Sequence, residues 1–105
     1  MRVKKHTVKF EARIWIYPGA AAWHFVHVPR DESQELSAAY GPRKKGWGSI
    51  PVDASIGATK WKSSVFPDKQ SGTYLLPLKL AVRRAEGVGD GDPVRVVLSI
   101  DTLRA

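Results

Sequence analysis

The segment GWGSIPVDASIGATKWKSSVF, Gly46–Phe66, carries two of the four tryptophans, Trp47 and Trp61. Ile50, Val52, Ala54 and Ile56 alternate with Pro51, Asp53 and Ser55. After Gly57, Trp61, Ser63 and Val65 alternate with Lys60, Lys62, Ser64 and Phe66. Period-two alternation marks half-buried strands, so the segment predicts a hairpin that turns at Gly57.

Similar elements flank the hairpin on each side. Thr7–Tyr17 predicts one strand, with Val8, Phe10, Ala12, Ile14 and Ile16 on one face and Lys9, Glu11, Arg13, Trp15 and Tyr17 on the other. Pro18-Gly19 makes a turn, Trp23–Val28 forms the next strand, and Pro29 ends it. Asp31–Tyr40 predicts a short helix started by Asp31 and Glu32, with Leu36, Ala39 and Tyr40 as its apolar stripe and Gly41-Pro42 as its stop. Beyond the hairpin, Thr73–Leu76 predicts a strand running into Pro77. Pro77 suits a first helical turn, Leu78, Ala81, Val82 and Ala85 recur at helical spacing, and Gly87 stops that helix. Val94, Val96, Leu98 and Ile100 form the last strand.

The order strand, turn, strand, helix, loop, strand therefore occurs twice, over Ile14–Ile56 and Lys60–Asp101, with a period of about 45 residues. The expected fold is mainly β: a small six-stranded closed or split β-barrel with two short helices, built from pseudo-duplicated ββαβ halves. Closure would remove the edge strands that otherwise aggregate.

A chain of 105 residues makes a single domain, residues 1–105 with a core over 7–101, large enough to fold without staples. It contains no cysteine, which excludes disulfides and thiolate metal sites and is compatible with a cytoplasmic protein. The basic start MRVKKH is followed by alternation rather than an apolar block, and no stretch approaches the ~20 apolar residues of a membrane span. The net charge is +7, with clusters at Arg2, Lys4, Lys5 and Lys9, at Arg43–Lys45, and at Lys60, Lys62 and Lys69. Such a balance favours an anionic partner. Nucleic acid is the less favoured partner at this point, because no nucleic-acid motif accompanies the charge.

Several motifs keep their order and spacing along the chain: Trp23-x-Phe25-Val26-x-Val28-Pro29, Gly46-Trp47-Gly48-Ser49-Ile50-Pro51-Val52, Trp61-Lys62-Ser63-Ser64 with Phe66-Pro67, Leu75-Leu76-Pro77-Leu78-Lys79, Val82-Arg83 and Gly91-Asp92-x-Val94. In these the sequence resembles the bacterial and archaeal domain-of-unknown-function family numbered 1905 over residues 7–101. The resemblance implies a compact β-barrel with two helices, similar to double-split barrel folds. It transfers no activity and no catalytic residue. Relatives are also joined to a second domain that looks like a bacteriocin-protection domain, and the expectation is that this sequence carries the first domain alone.

Candidate chemistry is sparse. His24 and His27 lie three apart in a strand, hence on opposite faces, and do not chelate one ion together. His6 lies near the chain start. One buried or half-buried ring and two surface rings are expected. Ser63 and Ser64 adjoin Lys62, but a serine nucleophile needs an adjacent base and a strained turn, and neither is indicated. The glycine turns at Gly57 and Gly91 lead into strands rather than the helix a phosphate loop needs. No catalytic residue, metal or cofactor is assigned. The remaining signal is aromatic rings among cations. If these converge at one mouth of the barrel, Arg43, Trp47, Lys62 and Arg83 make a pocket for a small anionic ligand, with Lys79 adding charge. The expected function is therefore a non-enzymatic ligand-binding or protein-interaction module. A nucleic-acid binder and an enzyme of unrecognised type are the alternatives.

Overall fold

The computed structural model describes residues 5–18, 22–40 and 48–101. Strands β1 (Lys5–Arg13), β2 (Trp15–Ile16) and β3 (His24–His27) precede helix α1 (Arg30–Tyr40). Then come β4 (Ile50–Ile56), β5 (Thr59–Asp68), β6 (Thr73–Pro77), helix α2 (Leu80–Glu86) and β7 (Pro93–Asp101). The seven strands, all antiparallel, form a curled half-barrel in the order β1-β7-β4-β5-β6-β3-β2.

The expected count of six strands is corrected to seven because Thr7–Tyr17 is not one strand. Ile14 donates its N–H to Asp92 O at 2.9 Å and accepts the Gly91 N–H at 2.7 Å. One residue later Trp15 pairs with Phe25. The chain thus leaves β7 and joins β3 at a single residue. The apolar alternation holds as far as Ile14, 1% exposed, and ends there: Ile16, expected on the same buried face, is 39% exposed.

The central hairpin matches its reading. Ile56 pairs with Thr59 around Gly57, whose φ of 58° suits glycine. Ile50, Val52, Ala54 and Ile56 are buried on one side, and Trp61 and Val65 face the same core. One apolar cluster joins this hairpin to Val8, Phe10 and Ile14, to Val26 and Val28, to Leu76, and to Val94, Val96, Leu98 and Ile100.

Both helices differ from expectation in detail. α1 starts one residue early, at Arg30, and buries Leu36 and Tyr40 but not Ala39; Ser33 takes a buried place instead. The expected stop at Gly41 lies outside the described residues. Pro77 is the last residue of β6, not part of a helical turn. Its pairing with Phe25 keeps the chain extended, and Lys79 (φ −70°, ψ 159°) precedes the helix. Within α2, Val82 is buried while Ala81 and Ala85 are exposed, and Leu78 enters the core from just ahead of the helix. Gly87 ends α2 as expected, with φ 65° and its N–H directed to Arg83 O and Arg84 O. No helix of the described residues is long and apolar enough to cross a membrane.

Exchanging β1–β2 with β5, β3 with β6, α1 with α2 and β4 with β7 returns the same set of strand pairs. The correspondence reaches individual bonds. Val28 N–H donates to Tyr74 O at 2.8 Å, and Leu78 N–H donates to His24 O at 2.9 Å; this is one bond written twice with the halves exchanged. Ala22 and Gly72, two residues ahead of His24 and Tyr74, both have positive φ, 48° and 72°. An alanine there bears a backbone cost of about 1–2 kcal/mol that glycine avoids.

Candidate functional site

β5 also changes partner along its length. It pairs with β4 over Thr59–Val65 and with β6 over Phe66–Asp68. Ahead of Phe66, the β6 side of β5 carries no ladder, and a cleft of about 450 Å³ opens there. Trp61, Lys62, Ser63 and Phe66 form one wall. Pro77, Leu78, Lys79 and Arg83, at the passage from β6 to α2, form the other, and Ala22, Trp23 and His24 complete the rim. Clefts of roughly 300–1,000 Å³ suit small ligands.

Lys62 and Arg83 are therefore brought together, with Lys79 beside them. Arg43 and Trp47 lie outside the described residues. Lys62 and Lys79 are exposed. Arg83 is half-buried, and its Nε donates to Leu78 O at 3.1 Å, which ties the side chain across the start of α2. Among the described residues no carboxylate lines the cleft. Among the described residues the ion pairs are Lys5–Asp53, His6–Glu35 and Arg95–Glu11, and none involves Lys62, Lys79 or Arg83. Asp53 stands opposite Lys62 in the β4–β5 register, outside the cleft lining, so the three cations outnumber this acidic neighbour and leave the cleft a net positive field.

Its apolar components have separate origins. Trp61 is 9% exposed and belongs to the core cluster, so it forms the floor. Trp23 and Phe66 are 57% and 42% exposed and stand at the rim. Both fall in the motifs that carry the family resemblance, but neither is among the site residues expected from the sequence. The available signal was parity: Trp23 shares its face with Phe25 and His27, opposite the fully buried Val26.

The histidines do not match the expected division, since all three are partly buried. His24 lines the cleft, with its ring Nδ1 2.9 Å from Ala22 O. His27 lies on the other face of β3, stacked on Trp15 at 5.1 Å and 11°, with Nδ1 2.9 Å from Thr73 Oγ1. His6 is held between the Tyr40 hydroxyl and the Glu35 carboxylate, which fastens β1 to α1. Among the described residues no group of three or more His, Asp or Glu is placed to hold a metal ion.

A second hollow of about 540 Å³ lies over β1, β7, β4 and β5. Its lining includes Asp53, which pairs with Lys5 at 3.3 Å. Part of its charge is thus neutralised internally, and the aromatic rim is lacking.

The family model described as "Domain of unknown function (DUF1905)" matches residues 10–98. The chain belongs to this family. No curated protein matches the chain at a significant level. In this DUF1905 domain every residue of the β5–α2 cleft falls inside the matched span.

Proposed function

We propose that the domain is a non-enzymatic binding module whose β5–α2 cleft holds a small anionic ligand. Lys62, Lys79 and Arg83 meet its charge, and Trp23 and Phe66 shelter its body. The observation that carries this reading is the convergence of three cations on one cleft without a carboxylate in its lining. Binding is favoured over catalysis because His24 has no acidic partner in the cleft to form an acid–base pair. The scaffold is read as a closed or split barrel of pseudo-duplicated halves. β1 and β2, the two ends of the strand order, are joined through Ile14 alone, and the exchange of halves preserves every ladder. The cysteine-free sequence supports a cytoplasmic setting.

The comparison of the two halves also favours this cleft. The shift that takes Val28 to Leu78 takes Ser33 to Arg83. Ser33 is buried; its Oγ donates to Val28 O at 2.8 Å and accepts the Tyr74 N–H at 3.0 Å, which ties that corner together and leaves a smaller hollow of about 240 Å³, with Asp68 in its lining. Arg83 makes the corresponding bond to Leu78 O and lines the open cleft. The Ser33 corner is thus smaller and carries a carboxylate, while its counterpart is wider and lined by cations.

Titration with inorganic pyrophosphate at low salt, followed by calorimetry and tryptophan fluorescence, tests the reading. Saturable binding is expected. Lys62→Ala and Lys79→Ala should each weaken it by about tenfold or more, as the loss of a charge-assisted hydrogen bond implies, with the circular dichroism spectrum unchanged. Absence of saturable binding by the native chain, or affinity unchanged from the native value in both variants, would overturn it.

A further inference from the structure

The cleft continues past its rim. Trp23, Phe66 and Pro77 line it and also belong to the outer face of the sheet formed by β2, β3, β6 and β5. On that face the register sets Trp15 beside Phe25 and Phe25 beside Pro77. The next row sets His27 beside Leu75 and Leu75 beside Phe66. Phe25 is the hub: the Trp15, Trp23 and Tyr17 rings lie 5.6, 5.9 and 6.4 Å from it. It is 8% exposed yet stands outside the core cluster, so its outer-face neighbours are what bury it. Tyr17, Trp23 and Phe66 remain open to solvent, while both helices direct their buried side chains to the core cluster. The result is an aromatic platform continuous with a cationic cleft.

We infer that the ligand of this site is single-stranded nucleic acid, with phosphates on Lys62, Lys79 and Arg83 and unpaired bases stacked on Trp23, Phe66 and Tyr17. The inference rests on reading the cleft as an anion site and adds the ligand's class. Two chemistries lie side by side here, cations and solvent-exposed aromatic rings. A single strand presents their complements, phosphate and base, at every nucleotide. Paired bases in a duplex are stacked already and do not expose their faces to such rings. A second copy of this chain is a poor occupant, because each copy carries a net charge of +7.

Fluorescence anisotropy with labelled oligo(dT) and oligo(rU) of about twelve nucleotides, against a duplex of the same length, is the test. Single strands should bind more tightly than the duplex. The slope of log affinity against log salt should be about −2, from roughly 0.7 for each of three phosphates. Lys62→Ala should make that slope shallower by about 0.7. Trp23→Ala and Phe66→Ala should weaken binding by about 5- to 100-fold with the slope unchanged. Both rings are solvent-exposed, and circular dichroism will show whether the fold is retained. Saturable pyrophosphate binding with no oligonucleotide binding at about 50 mM salt would overturn this inference and leave the anion site standing. Failure of both ligands would overturn both. Equal affinity for duplex and single strand, unmoved by Trp23→Ala, would also overturn it.

Discussion

Ser33 and Arg83 show how much one side chain decides. Each bonds the carbonyl five residues earlier, Val28 for Ser33 and Leu78 for Arg83. The serine hydroxyl is small enough to be buried and to receive the Tyr74 N–H as well. The guanidinium is larger and stays at the cleft. Ser33→Ala should destabilise the fold by roughly 1–3 kcal/mol, the cost of stranding a buried donor and acceptor. Urea unfolding would measure this, and pyrophosphate binding should be unaffected. The sequence offered no hint of this role, since a serine facing a helix surface and a serine bridging two elements are written identically. Lys62 and Arg83 were readable as candidates because charge and spacing are local properties. Trp23 and Phe66 were not, because their value depends on what lies across the sheet.

At the scale of elements, local pattern carried the reading as far as local pattern determines structure. The β4–β5 hairpin could be read residue by residue, since alternation and the turn at Gly57 lie within a few positions of each other. The close approach of Glu86 to that turn could not. Its carboxylate accepts a hydrogen bond from Thr59 Oγ1 and occupies the space where a Cβ on residue 57 would project. Gly57→Ala therefore combines a positive φ with a side-chain conflict and should cost about 1 kcal/mol or more. Thermal unfolding would register the loss, and Glu86→Ala in the same chain should restore part of it. The break at Ile14 is invisible in the sequence for a related reason. Alternation reports which face is buried and carries no information about which strand supplies the hydrogen bonds. Pro77 was placed in a helix because proline favours a first helical turn, but it equally suits the end of a strand, and pairing with Phe25 decided the matter.

At the scale of the whole molecule, the doubled order of elements was legible because turns, prolines and glycines punctuate both halves alike. What that order cannot convey is how the halves interlock. Of the six ladders, β2–β3 and β5–β6 lie within a half; the other four run between halves. Val26 pairs with Leu76 at the centre of one such contact, and both are fully buried.

The link at Gly57-Ala58 is thus nearly incidental to the architecture. Peptides covering residues 1–57 and 58–105 should each be unfolded alone and should regain native circular dichroism on mixing, with a midpoint that depends on concentration as for an obligate heterodimer. Native-like spectra from either peptide by itself would refute this. The half-barrel is the arrangement that tethering two subunits of an intertwined dimer would produce, and such a tether allows equivalent corners to carry different side chains, Ser33 at one and Arg83 at the other.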